Sequence, residues 1–572
     1  MEYMKRYQEW CNIDIFDEET KNELKKIKDN EEEIKNSFYK DLEFGTAGLR
    51  GVIGVGTNRM NKYTVGKASQ GLANYILKKG GAEKGVAIAH DSRHMSKEFT
   101  ELAANTLNAN GIKTYVFDSL RPTPELSFAI RYLNCISGIV ITASHNPPNY
   151  NGYKVYWDDG AQISTPTDNE IIAEVNNIED FSVIKTMEKA DAVNEGIYIL
   201  IGKEIDDEYI KRLKEVALNP EIIKKMSKDL KIVYTPLHGT GGVLADRILR
   251  ELGFENVYVV EEQREPDGNF PTVNYPNPED PASFELALKL AKQTDSDIVL
   301  ANDPDADRIG LFVKDANTSE YICFNGNMLA LIIAEYLITE KRKKGLLPEN
   351  SSLIKTIVSS NMADSICKAN NVAIFEVLTG FKNIAAQIKK FEKNNSYENV
   401  MGYEESYGCL IGDHARDKDG IVAVQMLCEA AAFYKNEGLT LWDQMIKMYE
   451  KYGYYREEGF SVVLEGADGA AKIQEMMENL RKNPPKKIGE YEVLKTRDYS
   501  NGKIEYIKEN KTEIEELPKS NVLYYELEND FWVAIRPSGT EPKIKFYIGV
   551  KGTSLEDSNE KLEKLTKALK NL

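Results

Sequence analysis

One local order, found three times along the chain, restricts the available folds more than any single residue does. It is an apolar strand, a short polar loop, an amphipathic helix and a second apolar strand. The first copy predicts a strand over 86–89, a His-Asp-Ser-Arg-His loop at 90–94, a helix near 97–110 and a strand over 113–117. The second predicts a strand from 231, the loop Pro-Leu-His-Gly-Thr-Gly-Gly at 236–242, a helix to 252 and a strand over 257–260. The third predicts a strand over 353–358, a Ser-Ser-Asn-Met loop at 359–362, a helix to 370 and a strand over 372–375. Strands that alternate with helices of this length build βαβ units with mixed or parallel sheets. Three such units predict three related α/β domains, although any doubly wound protein shares the pattern.

Past residue 451 the texture changes. Pro-Pro-Lys-Lys at 484–487 marks a linker or turn and 498–502 a loop, while 521–526, 532–536 and 543–550 read as strands and 555–572 as an amphipathic helix. This predicts a separate α+β domain. At the other end, 12–39 is a charged helical region with an apolar face, suited to a lid or packing arm. A chain of 572 residues has room for roughly four domains of about 150 residues. The expected divisions are 1–205, 206–320, 321–450 and 451–572.

Net charge is −18, from 73 basic and 91 acidic residues, with no long basic run. A nucleic-acid partner would need a positive footprint, so none is expected, and a phosphorylated substrate would need local Arg and Lys. The six cysteines show no C-x-x-C and no metal spacing, which predicts reduced thiols. The N-terminus lacks a signal-peptide core, and the most apolar helical stretch, near 329–338, is broken by Glu335 and too short to span a bilayer. These features predict a cytoplasmic protein with no membrane partner.

Two loops carry the strongest chemical signal. Asp-Pro-Asp-Ala-Asp-Arg at 303–308 follows the apolar run 298–300 and spaces Asp303, Asp305 and Asp307 two apart, before Arg308. In an extended loop alternate side chains point the same way, so three carboxylates can converge on one hard cation. An Asx-rich turn is the plain alternative. An EF-hand is excluded by spacing, because Arg308 and Lys314 stand where its Gly and Glu belong. Mg²⁺, which accompanies phosphate and a few carboxylates, fits better, with Arg308 on a phosphate oxygen beside it. Thr-Ala-Ser-His-Asn-Pro at 142–147 puts Ser144 and His145 after the apolar run 139–141. Pro147, Pro148 and Asn146 bar a helix there, which predicts a stiff loop with Ser144 presented rather than buried. There is no G-x-S-x-G elbow and no G-x-x-x-x-G-K-[ST] loop, so neither an α/β-hydrolase serine nor a P-loop is expected.

Three weaker segments complete the pattern. Arg-Pro-Ser-Gly-Thr-Glu-Pro-Lys at 536–543 sets a guanidinium, two hydroxyls and Gly539 around one turn, a combination that suits phosphate. Gly-Tyr-Glu-Glu-Ser-Tyr-Gly at 402–408 is rich in acceptors for sugar hydroxyls, and Arg-Asp-Lys-Asp-Gly follows at 416–420; charged loop residues of this kind are usually solvated. The stretch 44–51 holds three glycines and Arg50 without dinucleotide spacing, permitting backbone approach to an anion.

Taken in this order, the segments resemble the α-D-phosphohexomutases, the phosphoglucomutase/phosphomannomutase superfamily, from about residue 44 to 547. The wording around 142–156 is most similar to the branch holding bacterial α-phosphoglucomutases and phosphopentomutase-like enzymes. The resemblance implies an α/β fold of four domains around a central cleft: three related α/β domains with mixed sheets and a smaller C-terminal α+β domain. It implies that Ser144 is carried phosphorylated, and that Asp303, Asp305 and Asp307 hold Mg²⁺ together with a phosphoserine oxygen. Thr379, Gly380 and Lys382 match a loop that senses sugar orientation, and Glu404 and Ser406 match residues on the sugar 3- and 4-hydroxyls. Arg536, Ser538, Gly539 and Thr540 match the clamp on the phosphate that is not reacting. Arg50, His145, Lys154 and Lys418 match basic residues near the reacting centre, with proton-transfer roles left open among them.

The implied reaction is an isomerisation. Phosphoserine gives its phosphoryl group to a sugar monophosphate, the bisphosphate turns end for end, and the other phosphoryl group returns to Ser144. The lead expectation is a glucose 1-phosphate/glucose 6-phosphate mutase primed by glucose 1,6-bisphosphate, acting as a monomer or homodimer. Mannose phosphate, pentose phosphates or synthesis of the bisphosphate itself remain open, because the 536–543 wording is shared across these relatives and Glu-Glu-Ser at 404–406 only leans toward glucose. A phosphatase would have no use for a two-orientation clamp, and a non-catalytic phosphosugar sensor would be expected to have lost Ser144 or an aspartate.

Overall fold

The computed structural model describes residues 2–45, 48–464, 467–538 and 543–571. The chain forms two compact units. One holds Met1–Cys323 with Tyr407–Gly438, the other Phe324–Ser406 with Leu439–Leu572.

The first unit contains two sheets. Strands β1 (Gly48–Val52), β2 (Val86–His90), β3 (Thr114–Phe117), β4 (Ser137–Ile141), β5 (Tyr150–Trp157) and β6 (Tyr198–Ile201) lie in the order β1-β5-β4-β2-β3-β6. β4, β2, β3 and β6 run parallel, while β5 returns antiparallel to β4 and carries β1 antiparallel at the edge. β4 is buried along its whole length, as its unbroken apolar run requires of a strand covered on both faces. Val65, Leu72 and Ile76 of the helix Lys62–Lys78, and Phe99, Ala103 and Leu107 of the helix Ser96–Ala109, pack with Ile88, Ile139 and Val155. The second sheet has β7 (Lys231–Thr235), β8 (Asn256–Val259), β9 (Ile298–Asn302), β10 (Ile309–Lys314) and β11 (Tyr321–Phe324) in the order β11-β10-β9-β7-β8. β9, β7 and β8 are parallel, and β10 folds back antiparallel on β9.

In the second unit, β12 (Ser351–Thr356), β13 (Ala373–Val377) and β14 (Glu398–Glu404) form a parallel group in the order β13-β12-β14. The repetition read in the sequence therefore extends to topology. Each triplet puts its first strand in the middle, its second on one side and its third on the other: β3-β2-β4, β8-β7-β9 and β13-β12-β14. The C-terminal part is an antiparallel sheet whose order runs Tyr454–Val463, Lys543–Gly552, Trp532–Pro537, Leu523–Leu527, Tyr491–Asp498, Lys503–Tyr506 and Lys511–Ile514. The helices Ala467–Lys482 and Leu555–Lys570 contribute Ile473, Met477, Leu562 and Leu565 to its core.

The expected N-terminal arm begins earlier than read. Three helices, Glu2–Cys11, Glu18–Ile27 and Glu31–Phe38, bury Tyr7, Trp10, Leu24, Ile34 and Phe38 in a cluster closed by Phe16 and Val55. All six cysteines are free. Among the described residues no helix is long and apolar enough to cross a membrane; the apolar stretch at 329–338 lies in the buried helix Gly326–Lys343, where Glu335 accepts hydrogen bonds from the Tyr452 hydroxyl and Lys451.

Candidate active site

Three of the loops expected to carry chemistry occupy equivalent places in the three α/β triplets, each following the third strand. Ser144 follows β4, Asp303–Asp307 follow β9, and Glu404 ends β14 ahead of Ser406. Loops beyond the carboxyl ends of parallel strands are the usual location of ligand sites in α/β sheets.

In the first unit two of these loops meet. Ser144 Oγ donates to Asp303 Oδ2 at 2.6 Å and lies 3.1 Å from His145 Nδ1. Ser144 is buried, not presented as the prolines suggested, and adopts a left-handed φ of 53°. The physical reason is that the loop folds down around Arg93, whose guanidinium donates to the carbonyls of Ser144, Asn146, Pro147 and Tyr150. Arg50 reaches the same loop through Asn146 Oδ1 at 3.2 Å.

The aspartate loop is a tight turn rather than the extended segment expected. Ala306 N donates to Asp303 O at 2.9 Å, and Ala306 takes a φ of 51°, so curvature rather than strand alternation brings the carboxylates together. Asn302 accepts from the Tyr234 hydroxyl and donates to Arg308 O, closing the base of the turn. Asp303, Asp305 and Asp307 are all buried, and one oxygen from each lies within 4.8 Å of the others. Thr123, at the start of the helix Thr123–Tyr132, donates its hydroxyl to Asp305 Oδ2 at 2.9 Å and its N–H to Asp305 O at 2.9 Å. Lys154 Nζ lies 2.8 Å from Asp305 and 3.8 Å from Asp307, and Lys418 Nζ is 3.1 Å from Asp307. Arg308 pairs with Glu279 and lies 3.8 Å from Asp307 Oδ1.

These charges perturb one another. Burial, then the neighbouring Asp305 and Asp307, raise the Asp303 carboxyl well above the usual carboxylate range. Burial pushes Asp305 the same way, but Lys154 with the bonds from Thr123 and Asp303 overcomes it and holds that carboxyl low. Burial, reinforced by Arg308 and Arg50, keeps the His145 imidazole well below its ordinary value, so its ring is neutral. The donor set fits a hard divalent cation. Oδ1 of Asp305 and Oδ1 of Asp307 are buried and accept no hydrogen bond, a state that costs about 1–3 kcal/mol for each acceptor unless something else coordinates it.

The segment at 416–420 is not solvated as its charge suggested: Arg416, Asp417, Lys418 and Asp419 are all buried. Asp417 accepts from the Tyr156 hydroxyl at 2.7 Å and lies 3.2 Å from Lys418 Nζ. Asp419 caps the helix Gly420–Asn436 by accepting from Ile421 and Val422 N–H, and Gly420 N donates to Ala306 O at 3.1 Å, seating the helix on the aspartate turn.

The second unit holds the remaining expected residues. Gly380, with a φ of 107°, donates its N–H to Glu404 Oε1 at 2.8 Å, which ties the Thr379-Gly380 turn to the end of β14. Lys382 sits in the first turn of the helix Phe381–Asn394, and Ser406 is half-buried. Arg536 lies opposite Lys545 in the C-terminal sheet, and Ser538 N donates to Lys543 O at 2.8 Å. Gly539 and Thr540 lie outside the described residues.

Sequence reasoning missed Arg93, Thr123, Glu279 and Asp417 as parts of this arrangement. The signal for Arg93 was its place in the loop after β2, which a lone Asp-Ser-Arg does not distinguish from a solvated turn. Thr123 precedes a proline at a helix start, a pattern that reads as ordinary helix initiation.

Three family models match in order: the phosphoglucomutase/phosphomannomutase alpha/beta/alpha domains I, II and III, at residues 41–181, 207–317 and 325–452. A phosphoglucomutase of Staphylococcus haemolyticus (strain JCSC1435) is 37% identical over 526 residues, covering 92% of this chain and 93% of its own. One from Staphylococcus aureus (strain MSSA476) is 36% identical over 533 residues, covering 93% of each. Among solved structures, parafusin (phosphoglucomutase) from Paramecium in its open form has a TM-score of 0.67 at 18% identity, covering 93% of this chain and 96% of its own. A phosphoglucomutase/phosphomannomutase family protein from Burkholderia thailandensis has a TM-score of 0.65 at 20% identity, covering 94% and 96%. With three matching domains in order and the identity sustained across the chain, this protein belongs to the phosphoglucomutase/phosphomannomutase family, the α-D-phosphohexomutases, and is an isomerase.

Proposed function

We propose that the chain is a phosphoglucomutase, interconverting α-D-glucose 1-phosphate and glucose 6-phosphate through glucose 1,6-bisphosphate, with Ser144 as the phosphoryl carrier. The observation that carries the reading is the bond from Ser144 Oγ to Asp303 Oδ2, which sets a nucleophilic hydroxyl on the rim of a three-carboxylate turn. Relatives at 36–37% identity bear that name, which supports glucose over mannose or pentose phosphates.

Asp303, Asp305 and Asp307 would hold Mg²⁺, which when bound supplies charge stabilisation to the transferring phosphoryl group. The chain's own residues do the rest. Asp303 fixes the Ser144 hydroxyl. Lys154 and Lys418, each touching the aspartate turn, set positive charge beside the reacting oxygens. Neutral His145 can accept the hydroxyl proton when Ser144 takes its phosphoryl group back. Glu404 and Ser406 would bind sugar hydroxyls, Thr379, Gly380 and Lys382 would report sugar orientation, and Arg536, Ser538, Gly539 and Thr540 would clamp the distal phosphate. Free thiols suit a cytoplasmic setting, and glucose 1,6-bisphosphate would act as primer.

A panel of glucose, mannose and ribose 1-phosphates, assayed with and without the bisphosphate, tests this. The expected result is fastest turnover of glucose 1-phosphate, dependent on primer, without release of inorganic phosphate. Preferred turnover of another sugar, or net phosphate release, would overturn it.

A further inference from the structure

We infer that Arg93 is the positioning residue that shapes the Ser144 loop for phosphoryl transfer, an inference that rests on Ser144 being the phosphoryl carrier. The loop from β4 to β5 contains Pro147 and Pro148, so it has two fewer N–H groups with which to bond to itself; Asn146 N bonds to Ala143 O and Tyr150 N to Pro147 O, and four carbonyls converge on one side chain. Arg93 Nη1 donates to Pro147 O at 2.7 Å and Tyr150 O at 3.1 Å, and Nη2 donates to Ser144 O at 2.6 Å and to Asn146 O. A planar fork can satisfy four carbonyls in this way, whereas a lysine ammonium of three donors on one atom cannot.

The arginine is itself fixed. Nε faces Asp91 Oδ2 at 3.4 Å, with both side chains fully buried, and the guanidinium stacks 4.9 Å from the Phe270 ring centre. Asp91 is held in turn by the Arg93 N–H at 2.9 Å and the Ser96 hydroxyl at 2.8 Å. Ser144 needs such a grip because its φ of 53° is one that a serine does not favour unaided.

A contact between the corresponding two segments, made by different groups, recurs in the other repeats. In the second, Thr240 N donates to Pro304 O at 2.8 Å, and a Cβ on Gly239 would lie 2.4 Å from Pro304 Cα. In the third, Thr356 Oγ1 donates to Glu405 Oε2 at 2.8 Å. In each case the end of the middle strand, or the loop after it, supports the loop after the third strand. Arg93 is the first repeat's version of that contact, aimed at the loop that holds the nucleophile.

Arg93→Lys in the full chain with Mg²⁺ tests the role. The expected result is kcat lowered about 100-fold or more, with KM and calorimetric Mg²⁺ affinity each within about threefold, and faster amide exchange confined to 143–152. An unchanged kcat overturns the inference. So does a parallel loss of kcat, Mg²⁺ affinity and exchange protection throughout the chain, which would mark a purely structural role. If Arg93→Lys does not fold, Asp91→Asn keeps the fork but loosens its anchor; kcat lowered several-fold at constant KM supports the inference, and unchanged kcat overturns it. Ser144→Ala run alongside separates the two levels. Turnover surviving there removes the reading of Ser144 and this inference with it, while loss of turnover there beside a fully active Arg93→Lys removes the inference alone.

Discussion

Ser144 Oγ and Asp303 Oδ2, 159 residues apart in sequence, lie 2.6 Å apart. Each sits in the loop after the third strand of its own βαβ triplet, so the contact joins equivalent positions of two repeats. It brings a hydroxyl against a turn of three buried carboxylates, with the Asp303 carboxyl common to both.

Asp305 tests the cation assignment. Its Oδ2 is committed to Lys154 and Thr123, while its Oδ1 accepts no hydrogen bond and points to coordination. Asp305→Asn is expected to weaken Mg²⁺ binding, measured by calorimetry, by at least about tenfold. Wild-type Mg²⁺ affinity in that variant would remove Asp305 from the ligand set.

Lys154 is buried against two of the three carboxylates. Removing one partner of a buried pair strands the other's charge, so Lys154→Met is expected to lower unfolding free energy by about 3–5 kcal/mol in chelator. Added Mg²⁺ should restore part of that loss by supplying the missing positive charge. Denaturant titrations with and without Mg²⁺ read both effects, and a variant as stable as wild type in chelator contradicts the account.

Gly420 opens the helix that rests on the aspartate turn, and a Cβ there would lie 2.4 Å from Asn302 Nδ2 and 2.6 Å from Ala306 O. Gly420→Ala must displace either the helix or the turn. It is expected to destabilise the protein by about 1–3 kcal/mol and to weaken Mg²⁺ binding together with stability. Thermal unfolding and calorimetry check this, and unchanged Mg²⁺ affinity would show that the turn does not depend on the helix.

The backbone organisation was legible because β4, β9 and β12 are short apolar runs followed by loop residues, and each preceded or followed a helix of clear amphipathic period. The strand Tyr454–Val463 was missed because its half-exposed Tyr-Tyr-Arg-Glu-Glu start carries no apolar alternation. Ser144 and the three aspartates stand out in the sequence and lie together in the structure, while their surroundings could not be read. Nothing local shows that Arg93 turns Ser144 inward or that Asp417 and Asp419 are buried; both follow from contacts made by residues more than fifty positions away, such as Arg93 with Ser144 and Tyr156 with Asp417.

Glu457 gives a pH prediction independent of catalysis. Burial, only partly offset by a hydrogen bond from Ser360 and by Arg456, pushes its carboxyl up to about 7. A carboxyl raised in the folded state takes up its proton there first, so stability falls as pH rises from about 4.5 to about 7 and levels off above, a loss of as much as about 3 kcal/mol. Glu457→Gln is expected to flatten that slope and to be the more stable protein at pH 8. Equal slopes for the two proteins in denaturant titrations across this range would contradict it.

The most direct test is peptide mass spectrometry of the protein after incubation with glucose 1,6-bisphosphate and Mg²⁺. The account predicts a single phosphoryl group, located on Ser144 and discharged when glucose 1-phosphate is added. A phosphoryl group on any other side chain, or none on an enzyme that turns over at its full rate, would contradict it.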